Sequence, residues 1–221
     1  ADVLEGLGLN LKAPLQAVVD AIGVTGVTFL FAPAWHPALV NLAPLRRSLG
    51  VRTVFNLLGP LVTPLRPQAQ VLGVARADLL DPMAGALQQL GVDRSIVVHG
   101  AGGLDEASLA GANDLRLIES GQITARSLQP EELGLTSAPL EALRGGDLAV
   151  NQAILEAVLQ GRGSRAQRDA VAFNTALVLW SSGQQTNLHQ AAAQAVHCLD
   201  GGLPWQRLIA LRQALAGGDG Q

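Results

Sequence analysis

The chain has 221 residues, of which 48% are hydrophobic, so it is long enough to bury a core of its own. Charged residues make up 15% and the formal net charge is −3, which argues against a nucleic-acid-binding protein, because such proteins carry basic surfaces. The longest apolar stretch, near Val27 to Trp35, is interrupted by Pro33 and falls short of the roughly 20 residues of a membrane-spanning helix. Cys198 is the only cysteine, which fits a reducing compartment, and we expect a cytoplasmic protein.

The first 60 residues combine helical spacing with one apolar run. The predicted elements are a helix, a second helix, a buried strand, a helix split by Pro44, and a strand or turn that leads into Gly59-Pro60. Their ranges are residues 1–7, 14–22, 27–32, 37–49 and 52–57.

From residue 70 onward, predicted strands and helices follow one another, and Ser120-Gly121 is placed at the turn of a hairpin. The predicted strands cover residues 70–74, 95–99, 114–118 and 123–128. The predicted helices cover residues 80–90, 150–159, 169–180, 188–199 and 205–216. This order predicts an α/β protein with a mostly parallel sheet flanked by helices.

A glycine loop and two carboxylates follow the predicted strand that ends at His99. The loop reads Gly100-Ala-Gly-Gly103, and it leads to the adjacent residues Asp105 and Glu106. In α/β folds, sites lie beyond the carboxyl ends of strands. Two carboxylates about 4 Å apart repel by roughly 1 kcal/mol in water and roughly 4 kcal/mol at an effective dielectric of 20, so an enclosed pair needs a cation. Mg²⁺ fits, because it prefers oxygen ligands. A solvated acidic loop is the alternative.

A second candidate site combines His36, Arg46 and Pro60 within an apolar frame. Apolar walls and one guanidinium suit a flat anionic molecule, because the walls contact its ring and the guanidinium pairs with its carboxylate. Arg46 and the adjacent Arg47 point about 100° apart on a helix, so only one of them can face such a ligand. The alternative is a surface arginine pair, a capping histidine and a turn proline.

Together these segments resemble the anthranilate phosphoribosyltransferase family, and the resemblance runs across the whole chain. It rests on Ala1–Glu5, Phe29–Pro33, His36–Ala38, Arg46–Gly50, Arg52–Pro60, Val97–Gly100, Gly103–Glu106, Pro130–Gly134 and Gly145–Asp147.

The resemblance implies a truncated fold of the nucleoside phosphorylase and phosphoribosyltransferase type. Residues 1–32 and 53–221 would form an incomplete α/β domain, and residues 33–52 would be a short helical segment of a second, small helical domain. It also implies the homodimer that is typical of the family.

The resemblance further implies transfer of a phosphoribosyl group from phosphoribosyl pyrophosphate to anthranilate, with release of pyrophosphate, as a step of tryptophan biosynthesis. Asp105 and Glu106 would bind Mg²⁺, and Arg46 would contact the anthranilate carboxylate. His36 and Pro60 would line the anthranilate channel. No covalent nucleophile is expected.

The family's Gly-Thr-Gly-Gly-Asp phosphate loop, its Lys-x-Gly-Asn segment and the first helices of its small domain do not occur in these 221 residues. The resemblance therefore implies that this chain is the C-terminal part of such an enzyme. Whether this part is active by itself is left open. Two alternatives remain: a catalytically incompetent fragment or paralogue with a binding role, and an enzyme like the pyrimidine nucleoside phosphorylases.

Overall fold

The computed structural model describes residues 1–36, 55–63 and 65–216. In this described part, the helices are α1 (Asp2–Gly6), α2 (Leu15–Thr25), α3 (Ala32–Trp35), α4 (Phe55–Leu61), α5 (Leu80–Gln89), α6 (Leu148–Leu159), α7 (Arg165–Ser181), α8 (Leu188–Asp200) and α9 (Leu203–Ala216). The strands are β1 (Ala69–Gly73), β2 (Arg94–His99), β3 (Asn113–Glu119) and β4 (Gln122–Leu128). Three 3-10 turns are also present, at Ala77–Leu79, Pro130–Leu133 and Leu140–Leu143.

The four described strands form one sheet in the order β1-β2-β3-β4. β1 and β2 are parallel, because helix α5 returns the chain to the starting edge. The β2–β3 and β3–β4 pairs are antiparallel, because loops rather than helices connect these strands. The predicted α/β class with flanking helices is confirmed. The sheet of the described residues, however, is mixed, whereas a mostly parallel sheet was expected.

The β3–β4 hairpin turns where the sequence predicts it. Ser120 and Gly121 both have positive φ angles, 50° and 73°, as the two central residues of a type I′ turn require. This turn matches the twist of the two strands and sets the register Glu119↔Gln122.

Strand β2 is covered on both faces, which explains the apolar run Ile96–Val98 at its centre. Ile96 and Val98 contact a core that includes Phe173 of α7 and residues of α8. Val97, which points the other way, belongs to a second core with Leu80 and other residues of α5. The sheet is therefore held between α5 on one side and α7 with α8 on the other.

Two sequence predictions in the first 61 residues are wrong. Residues 27–31, all of them described, are irregular and form no strand. Phe29 and Leu30 instead pack, half-buried, against a third core between α2 and α9. The predicted strand or turn before Gly59-Pro60 is helix α4, which contains both residues. Pro60 lies one residue before the end of α4, where it has no N–H to donate to the carbonyl four residues earlier, so the last turn of this short helix lacks one hydrogen bond.

Helix α2 extends to Thr25 and ends at Gly26, whose φ is 75°, so Gly23 lies inside the helix and does not end it. Most of the predicted small-domain segment, residues 37–52, lies outside the described residues, and the domain division stays a prediction. Among the helices that the structure describes, none has the length and hydropathy needed to cross a membrane.

Phe173 is fully buried between the sheet and α8, and its replacement tests this packing. We expect Phe173→Ala to lower the free energy of unfolding by about 3–5 kcal/mol, because it leaves a large cavity. Val178→Ala, at an exposed position of the same helix, should change it by less than about 0.5 kcal/mol. Urea denaturation measures both, and equal effects would contradict the described core.

Candidate active site

The loop between β2 and β3 begins with a tight glycine turn. The Gly100 N–H donates to the Leu104 carbonyl at 2.8 Å, and the Gly103 N–H donates to the Gly100 carbonyl at 3.0 Å. Gly102 and Gly103 have φ angles of 83° and 82°, which side chains other than glycine rarely adopt. The glycines predicted to form a loop therefore make a compact turn that delivers Asp105 and Glu106 to the carboxyl ends of the strands.

The backbone of Asp105 and Glu106, the acid pair, lies directly on the ends of β1 and β2. A Cβ atom on Gly73 would be 1.5 Å from the Asp105 carbonyl oxygen, and one on Gly100 would be 1.9 Å from the Glu106 carbonyl oxygen. Only glycine allows this approach at both positions. Two strand ends thus fix the height of the acid pair above the sheet.

Two asparagines hold the part of the loop that follows the acid pair. Asn113 is fully buried, its Oδ1 accepts from the Ser108 N–H at 2.6 Å, and its Nδ2 donates to the Leu128 carbonyl at 3.1 Å. Asn174 on α7 pairs with both backbone groups of Ala107, each at 2.9 Å. Neither asparagine was predicted from the sequence. Asn113 could have been noticed, because it lies at an inward-facing position of β3 and asparagine is uncommon in strands.

Asp105 and Glu106 are both exposed. Within the described residues, neither carboxylate forms an ion pair with a cationic side chain. In the same part of the chain, no group of three or more His, Cys, Asp and Glu side chains is arranged to bind a metal ion. Two neighbouring carboxylates offer hard oxygen ligands, the kind that Mg²⁺ takes from proteins when phosphates supply the others. The residues present therefore fit a magnesium ion shared with a phosphorylated ligand.

A cavity of about 410 Å³ lies beside Glu106. Its wall is formed by one face of α7, by residues of the loop between β2 and β3 (residues 100–112, the acid loop) and by one 3-10 turn. The lining residues are Leu104, Glu106, Ala107, Leu143, Ala170, Val171, Asn174, Thr175 and Val178. The cavity is mostly apolar and has one carboxylate at its edge.

Pro60 lies at a different end of the sheet from the acid pair. Its carbonyl oxygen accepts a hydrogen bond from the Gln70 Nε2 at 2.9 Å, near the beginning of β1. Pro60 lines a cavity of about 630 Å³ together with residues that precede β1 and β2, such as Gln68 and Asp93. The described residues therefore place Pro60 and Glu106 in separate cavities with no shared lining residue.

His36 follows helix α3, where its N–H donates to the Ala32 carbonyl at 2.9 Å, and its side chain is half-buried. Arg46 lies outside the described residues. The predicted contact of Arg46 with a carboxylate, and the channel roles of His36 and Pro60, therefore stay predictions.

One ion pair lies just past the carboxyl end of β1. The Arg76 Nε donates to the Asp78 Oδ1 at 2.9 Å, and a second hydrogen bond joins the same two groups. The hydrogen bond from Arg76 lowers the pKa of the Asp78 carboxyl, and the same bond raises the pKa of the guanidinium. Both groups are exposed, so solvent screens the pair.

A second ion pair joins the face of the sheet to α5. The Arg116 Nε donates to the Asp81 Oδ1 at 2.5 Å, which lowers the pKa of the Asp81 carboxyl. This hydrogen bond holds the first turn of α5 against β3, so the β1–α5–β2 unit under the acid loop is fixed at its surface as well as in its core.

The acid pair lies where α/β folds place their ligand sites, beyond the carboxyl ends of the strands. A family profile described as "Glycosyl transferase family, a/b domain" matches residues 1–204. The chain therefore belongs to this glycosyl transferase family.

The relatives it resembles share one name. The chain is 76% identical over 216 residues to the anthranilate phosphoribosyltransferase of Parasynechococcus marenigrum (strain WH8102), covering 98% of this chain and 62% of the relative. It is 73% identical over 222 residues to the enzyme of that name from Synechococcus sp. (strain CC9902), covering 100% of this chain and 63% of the relative. The chain thus spans less than two thirds of the length of the curated relatives it matches.

Solved structures that match this chain carry the same name as the sequence relatives. The anthranilate phosphoribosyltransferase of Thermus thermophilus matches with a TM-score of 0.92 and 42% identity, covering 98% of this chain and 64% of that one. A structure of the Saccharomyces cerevisiae enzyme in complex with PRPP and Mg matches with a TM-score of 0.88 and 26% identity, covering 97% of this chain and 62% of that one. The resemblance found in the sequence motifs and the predicted fold type are confirmed.

The close approach of Asp105 to Gly73 gives a direct test of the site. We expect Gly73→Ala to lower the free energy of unfolding by about 1–3 kcal/mol, because the new methyl group meets a backbone carbonyl that cannot rotate away. Gly85→Ala is the matched control, because a Cβ there meets nothing within 4 Å and helix α5 should gain about 0.5–1 kcal/mol. Urea denaturation compares the two, and a Gly73→Ala chain as stable as the original would contradict the described loop.

Proposed function

We propose that the protein to which this chain belongs transfers the phosphoribosyl group of phosphoribosyl pyrophosphate to the amine of anthranilate, releasing pyrophosphate, in tryptophan biosynthesis. The observation that carries the proposal is the seating of Asp105 and Glu106 on the carboxyl ends of β1 and β2. The names of the relatives, at up to 76% identity, supply the reaction.

In this proposal, Asp105 and Glu106 hold Mg²⁺, which when bound stabilises the negative charge that develops on the departing pyrophosphate. The solved relatives with bound Mg support this metal. The backbone of both residues rests on glycines at the ends of β1 and β2, which places the pair beyond the carboxyl ends of the strands.

Arg46 binds the anthranilate carboxylate, and His36 and Pro60 line the path by which anthranilate enters. A guanidinium matches a carboxylate with two parallel hydrogen bonds, so Arg46 fixes both the position and the orientation of the ring. The reaction then depends on placing the amine next to the sugar carbon, and it requires no covalent nucleophile.

The remaining features of the proposal concern organisation. Residues 33–52 belong to a small helical domain and the rest of the chain to the α/β domain. The assembly is a homodimer, as the family resemblance implies, and the location is cytoplasmic, as the single cysteine suggests.

A chimera tests the reaction, because this chain matches only part of each relative's length. In it, this chain replaces the matching residues of the P. marenigrum enzyme, with which it shares 76% identity. Transfer activity, followed by the loss of anthranilate fluorescence, is expected in the chimera. A folded chimera that binds phosphoribosyl pyrophosphate but transfers nothing would favour the catalytically incompetent alternative.

In the chimera, Asp105→Asn and Glu106→Gln should each lower turnover by about 100-fold or more, because each removes a charged metal ligand but keeps the shape of the side chain. Raising the Mg²⁺ concentration should recover part of the activity. Asp20→Asn is the control, because Asp20 is exposed on α2 and its Oδ1 accepts a local hydrogen bond from the Gln16 side chain. Full turnover in both acid variants would refute the metal assignment.

Arg46→Ala should raise the KM for anthranilate roughly 10- to 150-fold, because a charged hydrogen-bonded partner is typically worth about 1.5–3 kcal/mol. The value of kcat should change much less. Arg47→Ala is the matched control, since on the helix that the sequence predicts for residues 37–49 adjacent side chains point about 100° apart. Should Arg47→Ala raise KM and Arg46→Ala leave it unchanged, the assignment of the arginine would be wrong.

A further inference from the structure

The side chain of Asn174 makes a two-point connection between helix α7 and the acid loop. Its Oδ1 accepts from the Ala107 N–H at 2.9 Å, and its Nδ2 donates to the Ala107 carbonyl at 2.9 Å. Ala107 directly follows Glu106, so this amide pairs with the backbone at the point where the chain leaves the acid pair.

Helix α7 gives Asn174 a rigid base. Phe173, Ala172 and Ala176 are fully buried against the sheet and α8, so the helix cannot shift without disrupting the core. The Nδ2 of Asn174 also donates to the Ala170 carbonyl at 3.0 Å, one turn earlier in the same helix. This second bond fixes the rotation of the amide, because it orients Nδ2 relative to the helix itself.

Glu106 is therefore held on two sides. Gly100 supports its carbonyl from the end of β2, where a Cβ would be only 1.9 Å away. Asn174 holds the next residue from α7, and both Glu106 and Asn174 line the cavity of about 410 Å³. With its backbone fixed at both ends, the Glu106 carboxylate has fewer directions open to it, and less conformational entropy is lost when it binds a cation.

We infer that Asn174 is a positioning residue for Glu106, fixing the direction of its carboxylate toward a divalent cation through the backbone of Ala107. The inference rests on the proposed function, because it takes Glu106 to be a ligand of that cation. Asn174 itself touches neither the cation nor the substrates in this proposal.

If the role of Asn174 were purely structural, its side chain would only hydrogen-bond a loop to a helix. The chain contains another asparagine that does this, which allows a comparison. Asn151 pairs with the N–H and the carbonyl of Gly146, each at 2.9 Å, and it does not line the cavity beside Glu106. Asn151→Ala removes the same two kinds of hydrogen bond from the same type of side chain. It is therefore the matched control for Asn174→Ala.

The experiment measures Mn²⁺ binding to the chimera by the loss of the free Mn²⁺ signal in electron paramagnetic resonance. Phosphoribosyl pyrophosphate is present throughout, and the same mixture without protein is the blank. Asn174→Ala should weaken Mn²⁺ binding about tenfold, the effect typical for residues that orient metal ligands. Asn151→Ala should leave the dissociation constant unchanged.

A double-variant cycle separates positioning from general destabilisation. If Asn174 acts through Glu106, then Asn174→Ala adds little to the loss already caused by Glu106→Gln. If the two losses simply add, the inference is wrong. Should Asn174→Ala fail to fold, Asn174→Leu decides, because it keeps the approximate size of the side chain and removes its hydrogen bonds without adding a charge, so it should also weaken binding about tenfold.

The outcomes distinguish this inference from the proposed function. If Glu106→Gln weakens Mn²⁺ binding and Asn174→Ala does not, the inference fails and the metal assignment stands. If neither Asp105→Asn nor Glu106→Gln changes Mn²⁺ binding, the metal assignment fails, and the inference fails with it.

Discussion

The contact on which the site depends is a backbone one: the carbonyl oxygens of Asp105 and Glu106 rest against the α-carbons of Gly73 and Gly100. Any side chain at these two glycines would lift the loop away from the sheet. The acid pair therefore takes its position from the main chain of two parallel strands, the least deformable part of the fold, and the flexible side chains are added to an already fixed frame.

Helix α7 serves both the core and the site. One face carries Phe173, which is fully buried against the sheet and α8. The other face carries Asn174 and Val178, which line the cavity beside Glu106. Because the two faces belong to one rigid helix, the packing of the core sets the distance between the acid loop and the opposite wall of the cavity.

Periodicity and turn chemistry predicted the elements that are regular and locally determined. The hairpin at Ser120-Gly121 was predicted because its turn depends on two adjacent residues. The helix predicted over residues 150–159 is α6, whose start is also fixed locally, since the Asp147 Oδ1 accepts from the Val150 N–H. The strand predicted over residues 27–32 is wrong, because an apolar segment packs equally well as a strand or as an irregular chain lying on a core. Helix α4 was missed because Gly59-Pro60 is typical of a turn, whereas here both residues form the last turn of a short helix that lacks one hydrogen bond at Pro60.

Only part of the candidate site could be predicted, because residues that are neighbours in sequence leave a pattern there and distant partners do not. The glycine loop and the acid pair are consecutive in sequence, so their grouping was visible there. The partners of the loop are distant: Asn174 lies 67 residues from Ala107 along the chain, and no periodic pattern links the two positions. Gly73 gave no signal either, because a glycine that ends a strand has the same sequence context whether or not another backbone rests on it.

The anchors of the acid loop come from strands β1 and β3 and from helix α7, which are far apart in sequence. In a partly folded chain, individual helices and the local hairpin can form before these three elements meet, because local contacts cost less chain entropy than distant ones. The loop therefore acquires its final shape late, when the sheet and α7 have already docked. The anchored backbone of this loop is then a marker of completed assembly, and misfolded forms that keep normal helical content would lack it.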